Sequence, residues 1–311
     1  MPYWQYVKGG LPIGRQNSST GVIDNKEIKK LELMANNIRQ DIIEMLLEAG
    51  SGHTAGPLGM ADIFTAFYFH ILNHNPKKPF WEDRDRLILS NGHICPVRYA
   101  AMARSGYFPV EELKTLRKFG TRLQGHPERE KLPGVETTSG PLGSGLGQAA
   151  GIAYAAKMDN RKFRVYALMS DGEQDAGNTW ESAMFIAKNK LHNLTGVIDR
   201  NNIQIDGNTE DIMPLEPLRQ KYESFNWNVI EVDGNNIGEF VNAVKEAKSV
   251  KDRSTLILAN NVPGKGVSFM ENRYEWHGNP PDSLNISGAP PKGEQGKKAL
   301  EELKSIADKL K

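Results

Sequence analysis

One cysteine, Cys95, leaves no partner for an internal disulfide, which excludes a secreted fold stapled by disulfides. No apolar run approaches the roughly 20 residues needed to cross a bilayer. The opening stretch from Met1 to Gly10 lacks the continuous apolar core of a signal peptide. Excess charge of either sign is also missing: 39 Lys and Arg stand against 38 Asp and Glu, a net of +1. No bulk field therefore draws nucleic acid or an anionic membrane to the chain, and no Lys/Arg run supplies a local one. What is present is ordinary for a globular enzyme, with 39% hydrophobic and 25% charged residues in a chain of 311. The expectation is a cytoplasmic protein with no nucleic-acid or membrane partner.

The chain reads in three parts. Residues 1–25 carry Gly9-Gly10, Pro12, Gly14 and Ser18-Ser19-Thr20-Gly21, an irregular arm. Residues 26–285 form the main domain. Residues 286–311 carry a linker, with Gly-Ala-Pro-Pro-Lys-Gly from residue 288, and end in a charged helix. Within the domain, Ile28, Leu31, Ile38, Ile42, Met45 and Leu46 recur at helical spacing, predicting a helix over 26–48 that Gly50 ends. Further helices are expected at 58–71, 94–105, 145–157, 179–190, 214–224 and 236–249. Strands are expected at 87–89, 164–169, 195–198, 228–232 and 255–259. Unalternated apolar strands such as Val165-Tyr166-Ala167-Leu168-Met169 are covered on both faces. The fold class is therefore α/β, a doubly wound, mostly parallel sheet flanked by helices.

In such sheets ligands bind beyond the carboxyl ends of the strands. The unusual residues cluster there: Ser90-Asn91-Gly92-His93, Ser170-Asp171-Gly172, Asp199-Arg200-Asn201-Asn202, and Asn260 with Gly264-Lys265-Gly266. Asp171-Gly172 with Asn201 offers hard oxygen ligands, and the following helix start favours phosphate; together they suit Mg²⁺. An Asp-Gly turn and an Asn-rich turn are also common on their own account. Of the seven histidines, His53, His93, His126 and His277 each have a glycine beside them in a loop. Such histidines suit proton handling or polarisation of a substrate oxygen, and they equally occur as unrelated loop residues. Their spacing does not fit zinc. His70, His74 and His192 read as surface or packing residues. The glycine-rich run 137–147 precedes a helix; it lacks the Lys-Ser/Thr ending of a nucleotide P-loop and can equally be a close-packed helix start.

Taken together, these segments resemble transketolase over about residues 26–280. Ser51-Gly52-His53-Thr54-Ala55-Gly56-Pro57-Leu58-Gly59-Met60-Ala61, Leu89-Ser90-Asn91-Gly92-His93, Leu123-Gln124-Gly125-His126-Pro127-Glu128 and Gly140-Pro141-Leu142-Gly143 are similar to that family's signatures. Ser170-Asp171-Gly172-Glu173 followed by Asn201-Asn202-Ile203 resembles its thiamine diphosphate motif. The resemblance implies that Asp171, Asn201 and the carbonyl of Ile203 hold a metal, Mg²⁺ or else Ca²⁺ or Mn²⁺, that bridges the diphosphate. It implies that His93, Gly172 and His277 line the diphosphate pocket, with Glu173 among the cofactor-binding residues, and that Gly140 and Leu142 touch the aminopyrimidine. His53 and His277 would assist proton movement at the substrate C3 hydroxyl, and His126 would meet the C1 hydroxyl. The implied reaction moves a two-carbon ketol unit from a ketose phosphate, such as xylulose 5-phosphate, to an aldose phosphate, such as ribose 5-phosphate.

The sequence departs from the family pattern in four ways. The pyrimidine-binding and C-terminal domains of full-length members are not here, so the expectation is a separate C-terminal subunit that carries them, with two copies of each chain in the complex. Ala176 stands where relatives carry a glutamate, while Glu181 is retained; altered coupling between sites is expected rather than lost cofactor binding. Ser170 replaces a glycine and Thr54 a proline. Two other readings remain at this stage: another thiamine-dependent enzyme subunit, of dehydrogenase E1 or deoxyxylulose phosphate synthase type, and a non-catalytic regulatory chain.

Overall fold

Side-chain alternation along the strands sets the architecture. In the computed structural model, which describes residues 23–311, five strands form one sheet. They are β1 (Arg86–Leu89), β2 (Val165–Ser170), β3 (Leu194–Arg200), β4 (Asn228–Asp233) and β5 (Thr255–Asn260), in the order β1-β2-β3-β5-β4. Every neighbouring pair is parallel. Successive strand residues point to opposite faces. Leu87, Leu89, Tyr166, Leu168, Val197 and Ile257 therefore enter one core, while Ile88, Val165, Ala167, Met169, Ile198 and Leu256 enter another. Two separate cores on one sheet are what a run with no polar alternation requires, and they confirm the doubly wound class.

Helices cover both faces. The first core takes residues from α1 (Asn25–Ala49), α2 (Ala55–Gly59), α3 (Ala61–Ala66), α4 (Cys95–Arg104) and α9 (Ile237–Ser249). The second takes Leu146 and Ala149 of α5 (Ser144–Met158), Ala183 and Ile186 of α6 (Gly177–Lys188), and Leu218 and Tyr222 of α8 (Leu218–Ser224). The short α7 (Thr209–Ile212) lies in the loop between β3 and α8. Helix α1 starts on Asp24, whose carboxylate accepts from Glu27 N at 2.7 Å, and stops at Gly50 in the left-handed region, φ 62°.

Three expected elements differ. The helix expected over 58–71 is broken: α2 starts earlier, bends at Met60 into α3, and finishes in a π turn, Phe67–Ile71. The bend seats Gly59 against the Val262 carbonyl, 2.9 Å from where a Cβ would be, which a straight helix with a larger residue would not allow. The helix expected over 214–224 begins only at Leu218. Pro214 and Pro217 hold the preceding residues out of helical geometry. The tail is also tied down more than a linker would be. Asp282 Oδ1 accepts from Gly293 N and Gln295 N at 2.9 and 2.8 Å, and Gln295 Nε2 donates to Leu284 O at 2.8 Å. Helix α10 (Gln295–Leu310) then lays Ala299, Leu303 and Ala307 on α1, where Asn36 Nδ2 donates to the Leu303 carbonyl at 2.9 Å. The expected arm at 1–25 falls outside the described residues except for its last three.

Because Leu303 is fully buried in the main core, Leu303→Ala should cost about 2–5 kcal/mol in urea unfolding. A loss below about 1 kcal/mol would show that α10 does not share that core.

Candidate active site

The carboxyl ends of β1, β2, β3 and β5 deliver the predicted loops to one edge of the sheet. Asp171 follows β2 directly and is buried. Its Oδ2 accepts from Asn202 N at 2.7 Å, from Arg200 Nη1 at 3.1 Å and from Thr209 Oγ1 at 3.3 Å, while Oδ1 accepts from Gly172 N at 2.7 Å. The bond to Asn202 N brings this carboxylate against the 201–203 turn. Asn202 makes that turn in the left-handed region, φ 61°, which asparagine tolerates. Asn201 is oriented from both sides: its Nδ2 donates to Asp199 at 2.8 Å and its Oδ1 accepts from Ile203 N at 3.1 Å. The turn closes as a small hairpin through Thr209 N to Asn202 O, 2.9 Å, and Gln204 N to Gly207 O, 2.8 Å, bonds that leave the Ile203 carbonyl unused. Burial pushes the Asp171 carboxyl above the ordinary aspartate range, against the pull of Arg200 and of the Asn202 and Gly172 N–H groups. Burial likewise pushes Asp199 up to about 7.

Glu173 does not face outward with its neighbours. It is buried, and its Oε1 accepts from Ser90 Oγ and from Gly143 N at 2.5 Å, while Oε2 accepts from Ser170 N at 3.2 Å. Through these three bonds the carboxylate braces the ends of β1 and β2 to the turn before α5. Gly143 makes that turn at φ 82°, and a Cβ there would lie 2.8 Å from the Ala176 methyl. Ser90 Oγ also accepts from Gly145 N at 2.9 Å, so α5 starts in contact with β1. Gly92 packs against Ser139, and Gly140 lies near the His126 ring, 3.9 Å from where a Cβ would be. Leu142 is 42% exposed at the tip of the same turn.

The histidines converge. The His53 and His93 ring centroids are 4.8 Å apart, His53 and His277 5.6 Å, and His93 and His277 5.3 Å. Thr54 ties two of their loops together by donating Oγ1 to the Asn279 carbonyl at 2.7 Å, a bond that a proline at this position could not make. The buried Trp276 anchors His277 by donating Nε1 to Phe269 O at 3.2 Å. His126 lies at the exposed side and joins through charge: it is among the groups that lower His53 and His93. Burial is the first cause that lowers all four. His53 falls to about 3, with His277, Arg117 and His126 adding to the effect, and His277 falls to about 4. His93 falls well below the ordinary value, and His126 falls by burial and by Arg117. At neutral pH the cluster is uncharged, so each ring can accept or donate one hydrogen bond without repelling the others. His74 takes no part; it packs on Tyr107, donor or acceptor to its hydroxyl at 3.0 Å.

Comparisons with known proteins agree with this geometry. The family model for the transketolase thiamine diphosphate binding domain matches residues 30–292. The chain is 42% identical over 247 residues to the 6-deoxy-6-sulfo-D-fructose transketolase subunit SqwG of Clostridium sp. (strain MSTE9), covering 79% of this chain and 90% of that one. It is 36% identical over 284 residues to an apulose-4-phosphate transketolase subunit of Phocaeicola vulgatus, covering 91% and 97%. The chain belongs to the transketolase family. Among solved structures, transketolase from Campylobacter jejuni superposes with a TM-score of 0.77 at 30% identity, over 90% of this chain and 47% of that one. This transketolase chain thus spans about half the length of the solved enzymes it matches.

The residues fit the domain's cofactor. Six buried polar atoms at this edge have no partner: both amide atoms of Asn91, Nδ1 of His53 and of His277, Oγ of Ser139 and Oδ1 of Asn261. An orphaned buried polar group costs about 1–3 kcal/mol, so a ligand that engages it gains that much. No group of three or more His, Cys, Asp or Glu among the described residues could hold a metal alone. A cation here would need the Asp171, Asn201 and Ile203 oxygens together with oxygens brought by the ligand, a hard donor set of the kind that suits Mg²⁺. Sequence reasoning missed Ser90, Arg200 and the bracing role of Glu173, because each acts through a partner far away in the chain. Asp175, which follows the brace, is turned toward Gln204 Nε2 at 3.3 Å and not toward the position of Ala176.

The depressed imidazoles give a signed pH dependence. At these imidazoles the unfolded chain binds more protons than the folded one between the ordinary value of 6.5 and the folded values, so their contribution to stability rises with pH in that window, opposed by the buried Asp199 and Asp171, whose raised carboxyls act with the other sign. The imidazole contribution is complete above 6.5 and is lost as pH falls toward the values near 4 and 3 of His277 and His53. The thermal midpoint should fall steeply across this window, and His53→Asn should flatten the fall. Equal slopes for the two proteins would place the destabilising protons elsewhere.

Proposed function

We propose that this chain is the diphosphate-binding subunit of a two-subunit transketolase, working with a separate subunit that supplies the pyrimidine-binding domain. The observation that carries this reading is the convergence, on one sheet edge, of three neutral imidazoles in mutual contact, His53, His93 and His277, with the Asp171–Asn201–Ile203 turn. Relatives of similar length are named as transketolase subunits, which supports a partner chain. An apolar patch on the outer face of α5 and α6 supports it too: Tyr154 and Met158 of α5 and Met184 and Phe185 of α6 are 38–66% exposed, with Tyr154 and Phe185 ring centroids 5.7 Å apart. The proposed complex holds two copies of each chain, and the absence of any described helix long and apolar enough to span a membrane is compatible with a cytoplasmic setting.

In this reading Asp171, Asn201 and the Ile203 carbonyl would hold Mg²⁺, and His93, Gly172 and His277 would line the pocket for the diphosphate. Gly140 and Leu142 would contact the aminopyrimidine. Thiamine diphosphate, when bound, supplies the electron sink for breaking the ketose C2–C3 bond. The protein's part is to move protons and hold hydroxyls. His53 and His277, neutral and buried, accept the proton of the C3 hydroxyl. His126, at the exposed side, holds the C1 hydroxyl. Glu173 keeps the ring-facing turn at a fixed distance from the diphosphate loop. The donor is a ketose phosphate and the acceptor an aldose phosphate, with xylulose 5-phosphate and ribose 5-phosphate as the first pair to assay. The names of the relatives make a sulfonated ketose and a branched sugar phosphate the next two.

Co-expression with candidate partner chains, followed by the ketol-transfer assay on these donors, tests the reading; no transfer with any donor in an assembled complex would refute it. Asp171→Asn in that complex should weaken joint binding of Mg²⁺ and thiamine diphosphate by calorimetry by about tenfold or more, the scale of a lost charge-assisted contact. Unchanged uptake would remove Asp171 from the metal site.

A further inference from the structure

His126 is placed differently from the other three histidines. His53, His93 and His277 lean ring against ring, whereas the His126 side chain is exposed and no described residue makes a hydrogen bond to its ring. Where it points is therefore set by the backbone that carries it. That backbone is held carbonyl by carbonyl. Leu123 O accepts from Arg117 N, and Pro127 O accepts from Ser139 N, each at 3.0 Å. The carbonyls of Gln124 and Gly125, between them, receive no backbone N–H among the described residues.

Two side chains of α4 meet these carbonyls instead. Tyr99 donates its hydroxyl to Gln124 O at 2.8 Å. The Cys95 thiol lies 3.2 Å from Gly125 O and 3.6 Å from Gln124 O. Four residues apart, Cys95 and Tyr99 share one face of the helix, and both are fully buried. Burial pushes the thiol up to about 12 and raises the tyrosine hydroxyl as well, so both keep their protons and stay donors at neutral pH. A carbonyl turned into the protein is unfavourable without a donor, so this pair selects one path for the loop. Arg117 closes the opposite side, with Nε and Cζ 3.0 Å from where a Cβ on Gly125 would be. The residue before His126 is thus clasped between α4 and a guanidinium.

We propose that Cys95 and Tyr99 are positioning residues for His126: their S–H and O–H groups fix the Gln124-Gly125 backbone, and with it the imidazole that meets the C1 hydroxyl of the ketose donor. This rests on the ketol-transfer reading and gives the buried thiol a task that is neither redox nor nucleophilic.

Two measurements test it. The first needs no activity: the imidazole NMR signals of the full chain are assigned by single histidine substitutions and followed in two variants. In Tyr99→Phe, which keeps the ring and loses only the hydroxyl, and in Cys95→Ala, the His126 signal should shift or broaden while those of His53, His93 and His277 stay in place. An unmoved His126, or equal movement of all four, would overturn the proposal. The second uses the reconstituted complex with xylulose 5-phosphate as donor and ribose 5-phosphate as acceptor. Each variant should lower kcat/KM for the donor about threefold to tenfold, the factor that one hydrogen bond carries. For the acceptor, which enters as an aldehyde with no C1 hydroxyl, kcat/KM should stay within about twofold of wild type. Cys95→Ser, whose hydroxyl can donate to the same carbonyl, should bring the donor value back to within about twofold of wild type. Equal losses on donor and acceptor would mean general damage to the fold, and a Cys95→Ser no better than Cys95→Ala would mean that the bond to Gly125 is idle; either result overturns the proposal. If Tyr99→Phe does not fold, the two Cys95 variants decide. A complex without any ketol transfer would sink the functional reading instead, leaving the imidazole signals to decide how His126 is placed.

Discussion

A carboxylate is held in the protein at the end of β2, and the rest of the site is arranged around it. Asp171 is 1% exposed, so its charge is unfavourable unless donors surround it. Those donors come from three places: Gly172 beside it, Asn202 and Arg200 at the end of β3, and Thr209 at the start of α7. Satisfying the buried charge therefore fixes the β3 turn, which carries Asn201 and Ile203, against the β2 loop. Arg200 extends the constraint by also gripping Glu210 at 2.6 Å and Glu216 at 3.0 Å, which moors the loop between β3 and α8.

Glu173, two residues on, meets the same constraint by a different route. It has no ion-pair partner among the described residues and is met by two backbone N–H groups and a hydroxyl. The result is a rigid link between the loop that would hold a diphosphate and the turn that would face the cofactor ring. Strand ends in a parallel sheet are free to do this because the ladder stops there and the released N–H groups need acceptors. The histidine cluster completes the edge by desolvation. Packing four imidazoles together with Arg117 nearby makes protonation unfavourable, which keeps them available as acceptors at neutral pH.

Much of the fold was legible in the chain. The helix from Asn25 to Ala49 ends at Gly50 as its spacing predicts, and all five strands lie within one or two residues of their expected positions. The expected helices broke or started late where tertiary contacts or proline intervened, at Met60 against the Val262 loop and at Pro217. The tail helix reads as charged and peripheral by composition, but its Ala299–Leu303–Ala307 stripe is spaced to lie on α1. Composition averages over a helix, whereas burial selects one face of it.

Short-range chemistry decided what the sequence alone could settle: apolar runs that demand a doubly covered parallel sheet, glycines that permit tight loops, and motifs whose residue types suit a diphosphate, a metal and proton transfer. Only the tertiary structure decided which way each side chain turns. It drew Glu173 inward as a brace, set Arg200 on Asp171, tied Thr54 to Asn279 and laid Arg117 across Gly52 and Gly125. Each of these pairings joins residues 8 to 225 positions apart. Direction at a strand end is set by partners that reach the site from elsewhere in the chain, and no local pattern encodes it.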